Sequence, residues 1–549
     1  MMVMQTKQEG SPESAGRKTN EFLLHAEEDK GARIGINKVV IVAPNTYVSS
    51  QALEEATGQE PGKISKGLGI SKARLPTYSQ GNVTLAAQAI YDFVKNVSSD
   101  REDEAKLFSE PIEAIYYATE SNDDFSRPEG ILALDIAGSR LLMEDNAKYR
   151  PYVDMLRHIK MPQVTFACAG AGLSLSSVLD SIHAAYTFDR SVSALIISTD
   201  TAVYDSLRAP KAEATQGSAA TLAWITKDPK LLSVEYSKGY GSFTAQFPDF
   251  TKFGNHNPKV YGVFSEIMYV YSVAEAFEDL EARYTGSGGS LAIDAFVGHV
   301  PFPKQAIYFA GFLFEHVLKN YDKKKFEELQ ARPELGPSPI DGEKFTELMR
   351  GKLSAFRGRS SEIVEYIAND PEITAYWKWL KRLRAQPEFD GFTKSLNIEN
   401  ALVLPAQVGN SYTGSTQIAL ASELLHGTGT RFAIAYYGSG LTSATFFASR
   451  SAKSRKEIED NIIVSFGNDD MPLDVAQYRE VHGNLLKGDA KRMMRVKTAN
   501  LINKDRKLLR LERGSPMPLG FYIRRRNDDG TWEAEYSDGQ TMTEIMPRY

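Results

Sequence analysis

Cys168 is the only cysteine in a chain of 549 residues, and it stands where a thiol can be made reactive. Before it, the β-branched and aromatic run Gln163–Ala167 predicts a short strand. After it, Ala169, Gly170, Ala171 and Gly172 let a backbone or a ligand come close, and Leu173, Leu175, Val178 and Leu179 recur at helical spacing, predicting a helix over Leu173–Phe188. Cys168 then lies at or just before a helix N-terminus, whose unpaired N–H groups and dipole favour thiolate over thiol. The dipole contributes only about 0.3–1 kcal/mol, less than the roughly 1.36 kcal/mol of one pKa unit. A nucleophile here needs further activation, such as a nearby histidine. A lone cysteine is as readily an inert core residue, and spacing alone leaves both readings open.

Two other polar residues sit at the C-terminal ends of expected strands, where open α/β sheets form their binding crevices. Glu120 lies two residues past the run Ala114–Ala118, and His299 follows the run Ala292–Val297. A lone carboxylate or imidazole there is more often structural than catalytic. Of the eight histidines, His25 falls in a polar tail and His158, His183, His316 and His426 fall on or beside expected helices. His256, His299 and His482 sit in glycine- or proline-bearing turns, and composition does not choose among them. Other motifs fail on inspection. Gly58–Lys63 is one residue short of a phosphate loop and is followed by Ile64 instead of Ser or Thr, and no GxGxxG, GxSxG or HExxH occurs.

The elements that would position these residues alternate along the chain. Buried-strand runs at Lys38–Ala43, Ala114–Ala118, Gln163–Ala167, Ala194–Ser198 and Thr221–Ile225 are separated by helical segments such as Leu85–Val97, Ile131–Leu142 and Leu173–Phe188. A second set comprises Ala292–Val297, the helix Gln305–Asn320, Phe432–Tyr437 and Thr445–Ala448. This is α/β layering around a sheet buried on both faces, and the two sets suggest a structural duplication without a residue-level repeat. The expected organisation is a disordered tail over 1–33, a half carrying the cysteine over 34–230, and a second half over 231–450. A charged helical insert, broken around Pro333, Pro337 and Pro339, interrupts the second half over about 321–399. Residues 451–549 form a helical region with final strands at Gly520–Arg525 and Thr531–Tyr536, joined by a turn at Asp528–Gly530.

Composition bounds the function classes. With 64 basic and 70 acidic residues the net charge is −6, so neither a polyanion-binding surface nor a polybasic membrane anchor is indicated. A single cysteine excludes an intrachain disulfide and any cysteine-built zinc or iron–sulfur site, which fits a reducing cytoplasm. The start lacks the apolar core of a secretory signal, and its acidic residues Glu9 and Glu13 make a poor transit peptide. The charge-free windows around Cys168 and over Asn400–Ser422 carry proline, glutamine, glycine and hydroxyl residues, and read as core, not membrane spans.

Taken in order, ATES at Ala118–Ser121, the AC of Ala167–Cys168, TDTAVY at Thr199–Tyr204, EATQG at Glu213–Gly217, HVPFPK at His299–Lys304, GNSYTGS at Gly409–Ser415 and YGSG at Tyr437–Gly440 resemble the hydroxymethylglutaryl-CoA synthases of the thiolase superfamily. HVPFPK and GNSYTGS are the specific members of the set, and the resemblance covers roughly residues 34 to 450. It implies a thiolase-like, duplicated, five-layered αβαβα fold and a Claisen-like condensation of acetyl-CoA with acetoacetyl-CoA. By that resemblance Cys168 carries the acetyl group as a thioester. Glu120 removes the methyl proton and later returns one to the new alkoxide, and His299 binds and polarises the acetoacetyl carbonyl. Asn410 and Ser439 match positions that hold the acyl chain, Thr215 and Ser265 match further substrate contacts, and Lys304 matches a lysine near CoA. The family often has an aromatic residue after the cysteine and a lysine four positions beyond Lys304, where this chain has Ala169 and Tyr308. The resemblance further implies no metal and no cofactor apart from the CoA thioesters, a homodimer, a cytoplasmic setting and a place in the mevalonate route to isoprenoids. Two alternatives remain: a polyketide β-branching synthase whose substrates ride on an acyl carrier protein, and a catalytically silent scaffold.

Overall fold

The structure, a computed structural model, describes residues 33–546 apart from positions 123, 125, 202, 205–209, 248, 252–258, 286–292, 357–359, 488–499, 513 and 527–531. The expected tail, His25, His256 and the Asp528–Gly530 turn lie outside the described residues.

Strand β1 (Ile34–Val42) is buried at every position, and its side chains go to opposite cores. Val39 and Ile41 join one cluster, Val40 and Val42 another, as the two-residue period of a strand requires. The principal elements that follow are α1 (Asn82–Val97), β2 (Ile112–Ala118), α2 (Gly130–Glu144), β3 (Gln163–Val164), α3 (Gly170–Thr187), β4 (Ser193–Thr201) and β5 (Ser218–Lys227). β3, β2 and β4 pair in parallel, and β5 then runs antiparallel to both β4 and β1. The second set is β6 (Leu232–Glu235), β7 (Gly241–Thr244), α4 (Val263–Thr285), β8 (Ala295–Gly298), α5 (Pro303–Tyr321), α6 (Ser415–His426), β9 (Arg431–Gly438) and β10 (Thr442–Arg450). β8 and β9 pair in parallel, and β10 runs antiparallel to β9, β6 and β7.

The two sets therefore repeat one pattern: a parallel pair, then antiparallel steps, with a buried helix (α3 or α6) entering just before β4 or β9. β6 also pairs with β1, so both halves belong to one 11-stranded sheet. Strand alternation builds five layers. Inner residues Ile196, Ile434, Tyr436 and Phe446 pack on α3 and α6 in the central core. Outer residues of the first half, Leu195, Ile197 and Trp224, pack on α1 and α2. Outer residues of the second half, Phe296, Ala433 and Phe447, pack on α4 and α5. The layering is αβαβα, as the duplicated α/β reading required, and it needs only matching apolar periods, so a residue-level repeat is unnecessary.

Two expectations shift. The strand expected over Gln163–Ala167 ends at Val164, because the chain turns back on itself at Ala167, whose φ is +40°. The strand expected from Ala292 begins at Ala295 among the described residues. Between about Tyr321 and Glu399 the helices Gly342–Ala355, Pro371–Leu383 and Pro387–Ser395 bury Phe345, Tyr376, Trp379 and Phe392 against Phe312 and Phe314 of α5. The C-terminal region ends in an antiparallel sheet of β11 (Gly520–Arg526), β12 (Trp532–Ser537) and β13 (Met542–Ile545). Its third strand, which sequence periodicity missed, brings Ile545 onto the α1/α2 core.

Candidate active site

The nucleophile turn is built by strain and small residues. Ala167 at φ +40° reverses the chain so that Phe166 and Cys168 pair across the turn. Ala169 then caps α3 and donates its N–H to the Phe166 carbonyl at 3.0 Å. Such a backbone state costs of order 1–3 kcal/mol in a non-glycine residue and persists only where surrounding contacts enforce it. The contacts come from both halves. A Cβ at Gly170 would lie 3.2 Å from Ala118 Cβ, and one at Gly438 would lie 2.8 Å from both N and Cβ of Ala169. Cys168, 8% exposed, is thus seated at the N-terminus of a central helix, as its spacing predicted.

A carboxylate lies within reach of the thiol: Cys168 Sγ donates to Glu120 Oε2 at 3.2 Å. Glu120 is held by a residue the sequence reading passed over. Asp200, fully buried near the end of β4, accepts at Oδ1 from the Glu120 backbone N–H (2.9 Å), Thr119 Oγ1 (2.9 Å) and Ser121 Oγ (2.7 Å). Its Oδ2 accepts from Thr413 N (2.9 Å) and Oγ1 (2.5 Å). Burial, with the charge of Glu120 beside it, raises the Asp200 carboxyl to about 6. One carboxylate thereby ties the Glu120 loop of the first half to the GNSYTGS loop of the second. The signal was present in TDTAVY: an acidic residue in an otherwise apolar strand must be paid for by donors.

His299 follows β8 as Glu120 follows β2, the equivalent place in the other half. It is 1% exposed, and burial pushes its imidazole from the ordinary 6.5 down to about 3. Its Nδ1 lies 2.5 Å from Ser415 Oγ, its carbonyl accepts from Tyr269 OH at 3.1 Å, and its ring centroid is 6.0 Å from that of Tyr437. Tyr437 neighbours both His299 and Cys168. Its hydroxyl donates to Asp249 Oδ2 at 2.6 Å, and its pKa is raised by burial, by Asp249 and by the nearness of Cys168. Tyr204 and Tyr412 pack edge-on at 6.1 Å in the same apolar cluster as Cys168. Tyr204, Tyr412, Tyr437 and Asp249 were not singled out in sequence, because tyrosines are too common for type alone to mark them.

The remaining residues divide into two groups. Asn410 is buried. Its N–H donates to the Thr215 carbonyl at 2.8 Å, and its Oδ1 accepts from Tyr412 N at 2.9 Å, so Thr215 and Asn410 lie together against the cluster. Ser265 donates to the Asp249 carbonyl at 2.9 Å and Ser439 Oγ approaches Tyr437 OH at 3.5 Å, so both border Asp249. Lys304 stands apart. It is exposed near the start of α5, with its N–H on the Leu68 carbonyl at 3.3 Å. Among the described residues no group of three or more His, Cys, Asp or Glu could hold a metal ion, and no helix is long and apolar enough to cross a membrane.

The chain resembles known proteins in sequence and in fold. No protein-family model matches the chain. A hydroxymethylglutaryl-CoA synthase from Haloferax volcanii is 30% identical over 414 residues, covering 74% of this chain and 80% of that relative. An enzyme of the same name from Saccharomyces cerevisiae is 23% identical over 439 residues, 76% of each chain. Among solved structures, MvaS in complex with 3-hydroxy-3-methylglutaryl coenzyme A is 20% identical with a TM-score of 0.59, covering 92% of this chain and all of that one. The HMG synthase of the curacin pathway in complex with an acetyl donor carrier protein is 13% identical with a TM-score of 0.60 over the same shares. The likeness to these structures is one of fold.

Proposed function

This chain belongs to the hydroxymethylglutaryl-CoA synthase family, and from that premise we propose how its own residues carry the reaction. It is an acyltransferase that condenses acetyl-CoA with acetoacetyl-CoA. Cys168 attacks the acetyl-CoA carbonyl, the carbon–sulfur bond to CoA breaks, and the proton lost by Cys168 leaves on CoA as its thiol. Glu120 Oε2 lies 3.2 Å from Sγ, beside the atom that will carry the acetyl group. When the acetyl group occupies the sulfur, the same carboxylate faces its methyl group and can remove a proton to give the enolate. The enolate carbon bonds to the ketone carbon of acetoacetyl-CoA, the carbonyl electrons become an alkoxide, and a proton returns from Glu120. Water then cleaves the thioester and frees Cys168. His299 orients the acceptor carbonyl, with Asn410, Ser439, Thr215 and Ser265 as substrate contacts and Lys304 toward CoA.

The observation that carries this reading is the Cys168–Glu120 contact, set at a helix N-terminus with Glu120 anchored by Asp200. Acetyl transfer needs thiolate and an oxyanion site, whereas carbon–carbon bond formation also needs a base on a weakly acidic methyl group. Glu120→Ala should therefore retain acetyl loading while losing condensation by about 10²–10⁴-fold, with acetyl-enzyme accumulating as a mass increase on the Cys168 peptide. Cys168→Ala should lose both loading and turnover. A folded Glu120→Ala variant that fails to load would limit Glu120 to the thiol step, and one that condenses normally would reassign the base.

The family membership supports free CoA thioesters over carrier-bound ones, a homodimer, a cytoplasmic setting and supply of the mevalonate route. Comparing turnover of acetyl-CoA with that of acetylated carrier protein separates the two substrate classes, and sedimentation velocity tests the dimer.

A further inference from the structure

We propose that Ser415 is a positioning residue that donates its hydroxyl proton to Nδ1 of His299, fixing the neutral Nε2–H tautomer and so presenting the imidazole as a hydrogen-bond donor. Its place in the acceptor step rests on the function proposed above; the tautomer itself rests on geometry. A hydroxyl has one proton and two lone pairs. Ser415 Oγ already accepts the Val300 N–H at 3.3 Å, and its second contact is Nδ1 at 2.5 Å. If Nδ1 carried the proton, Ser415 Oγ would be a double acceptor, and its own hydroxyl proton would need a third partner. Among the described residues it has none, and Ser415 is 2% exposed. Burying an unmade O–H donor is unfavourable. The alternative, with Ser415 donating and Nδ1 accepting, satisfies every group.

The surroundings also reject the imidazolium. Ser415 is the first residue of α6, whose free N–H groups and positive dipole end disfavour a second positive charge beside them. Burial acts in the same direction on His299. A neutral ring whose Nδ1 is occupied has one remaining polar atom, Nε2, and this must bear the proton. A neutral donor suits a carbonyl that becomes an alkoxide and then takes its proton from elsewhere, because the imidazole does not compete to surrender one. The arrangement is written in the sequence as the pairing of HVPFPK with the last residue of GNSYTGS, and only the fold brings the two together.

The test is long-range ¹H–¹⁵N NMR on the full chain labelled with ¹⁵N-histidine, with the His299 signals assigned by their loss in His299→Asn. The wild type should show an unprotonated Nδ1 and a protonated Nε2 between pH 6 and 8. Ser415→Ala should lose that tautomer preference and lower condensation with acetoacetyl-CoA by about 10–100-fold, the span known for removing the partner that orients a metal-bound imidazole. Acetyl loading of Cys168 should stay within about twofold, and Ser415→Thr should restore both tautomer and condensation. A wild-type spectrum with Nδ1 protonated overturns the proposal, even if Ser415→Ala does not fold. So does a Ser415→Ala variant with unchanged tautomer and condensation. If the wild type fails to acetylate Cys168, the proposed function falls while the tautomer is still decided by the spectrum.

Discussion

At the scale of single residues, buried polar groups of the site are held by partners drawn from both halves. Asp200 accepts five hydrogen bonds, and His299 is held neutral by burial. The latter has a measurable consequence. With its folded pKa lowered from 6.5 to about 3, the unfolded chain takes up a proton that the folded chain does not, throughout that window. Stability from this residue is therefore fully present above pH 6.5 and falls as pH drops toward 3. In His299→Asn this linkage is absent. The stability advantage of the wild type over the variant, measured by urea unfolding, should shrink as pH is lowered from 7 to 4.5. An advantage that grows on acidification would mean that His299 is protonated in the fold.

At the scale of elements, the decisive contacts are backbone approaches between halves. The Tyr437–Gly440 turn that ends β9 touches the nucleophile turn that begins α3. A Cβ on Gly438 would fall 2.6 Å from the Phe166 carbonyl oxygen, well inside van der Waals contact, and neither that oxygen nor the N and Cβ of Ala169 can rotate away about a side-chain torsion. Gly438→Ala must then displace the turn holding Cys168. A shift of about 1 Å at a reacting group costs on the order of 10²-fold, so the rate of acetyl loading should fall by roughly that factor while far-UV circular dichroism is unchanged. Loading at the wild-type rate would show that the turn is free to yield.

At the scale of the whole molecule, a buried carboxylate is among the groups that clasp the C-terminal region to the first half. Asp505, on the helix Leu501–Leu508, accepts from Thr77 Oγ1 at 2.9 Å, Tyr78 N at 2.8 Å and Ser79 N at 3.0 Å, as well as from the Ser79 hydroxyl. Beside it, Phe521, Ile523 and Tyr536 of the terminal sheet seal the α1/α2 core. Asp505→Ala orphans these donors at about 1–3 kcal/mol apiece, so a loss of at least about 3 kcal/mol is expected by urea unfolding. Limited proteolysis should then cut residues 501–546 before the central sheet. A variant as stable and as resistant as the wild type would show that the region is held by its other contacts.

The layered α/β architecture was legible because buried strands and helices impose periods of 2 and about 3.6 on the apolar residues, and β1, β4, β5, α1 and α3 all stand within a few residues of where those periods put them. The position of Cys168 before α3 was legible for the same reason: small residues followed by a helical apolar period mark a helix start. Glu120 and His299 could be nominated from strand ends, but only family resemblance gave them roles. The sequence could not set the distances. Glu120 and Cys168 are 48 positions apart, and His299 and Ser415 are 116 apart, so their meeting depends on strand pairing and on two central helices packed between half-sheets. Nor could it identify Asp200 as the tie between halves, since its value lies in donors contributed by Thr119, Ser121 and Thr413 from different strands and loops. Local periodicity is a property of neighbouring residues. Complementarity between buried polar groups is a property of the closed fold, and tertiary structure alone decided it.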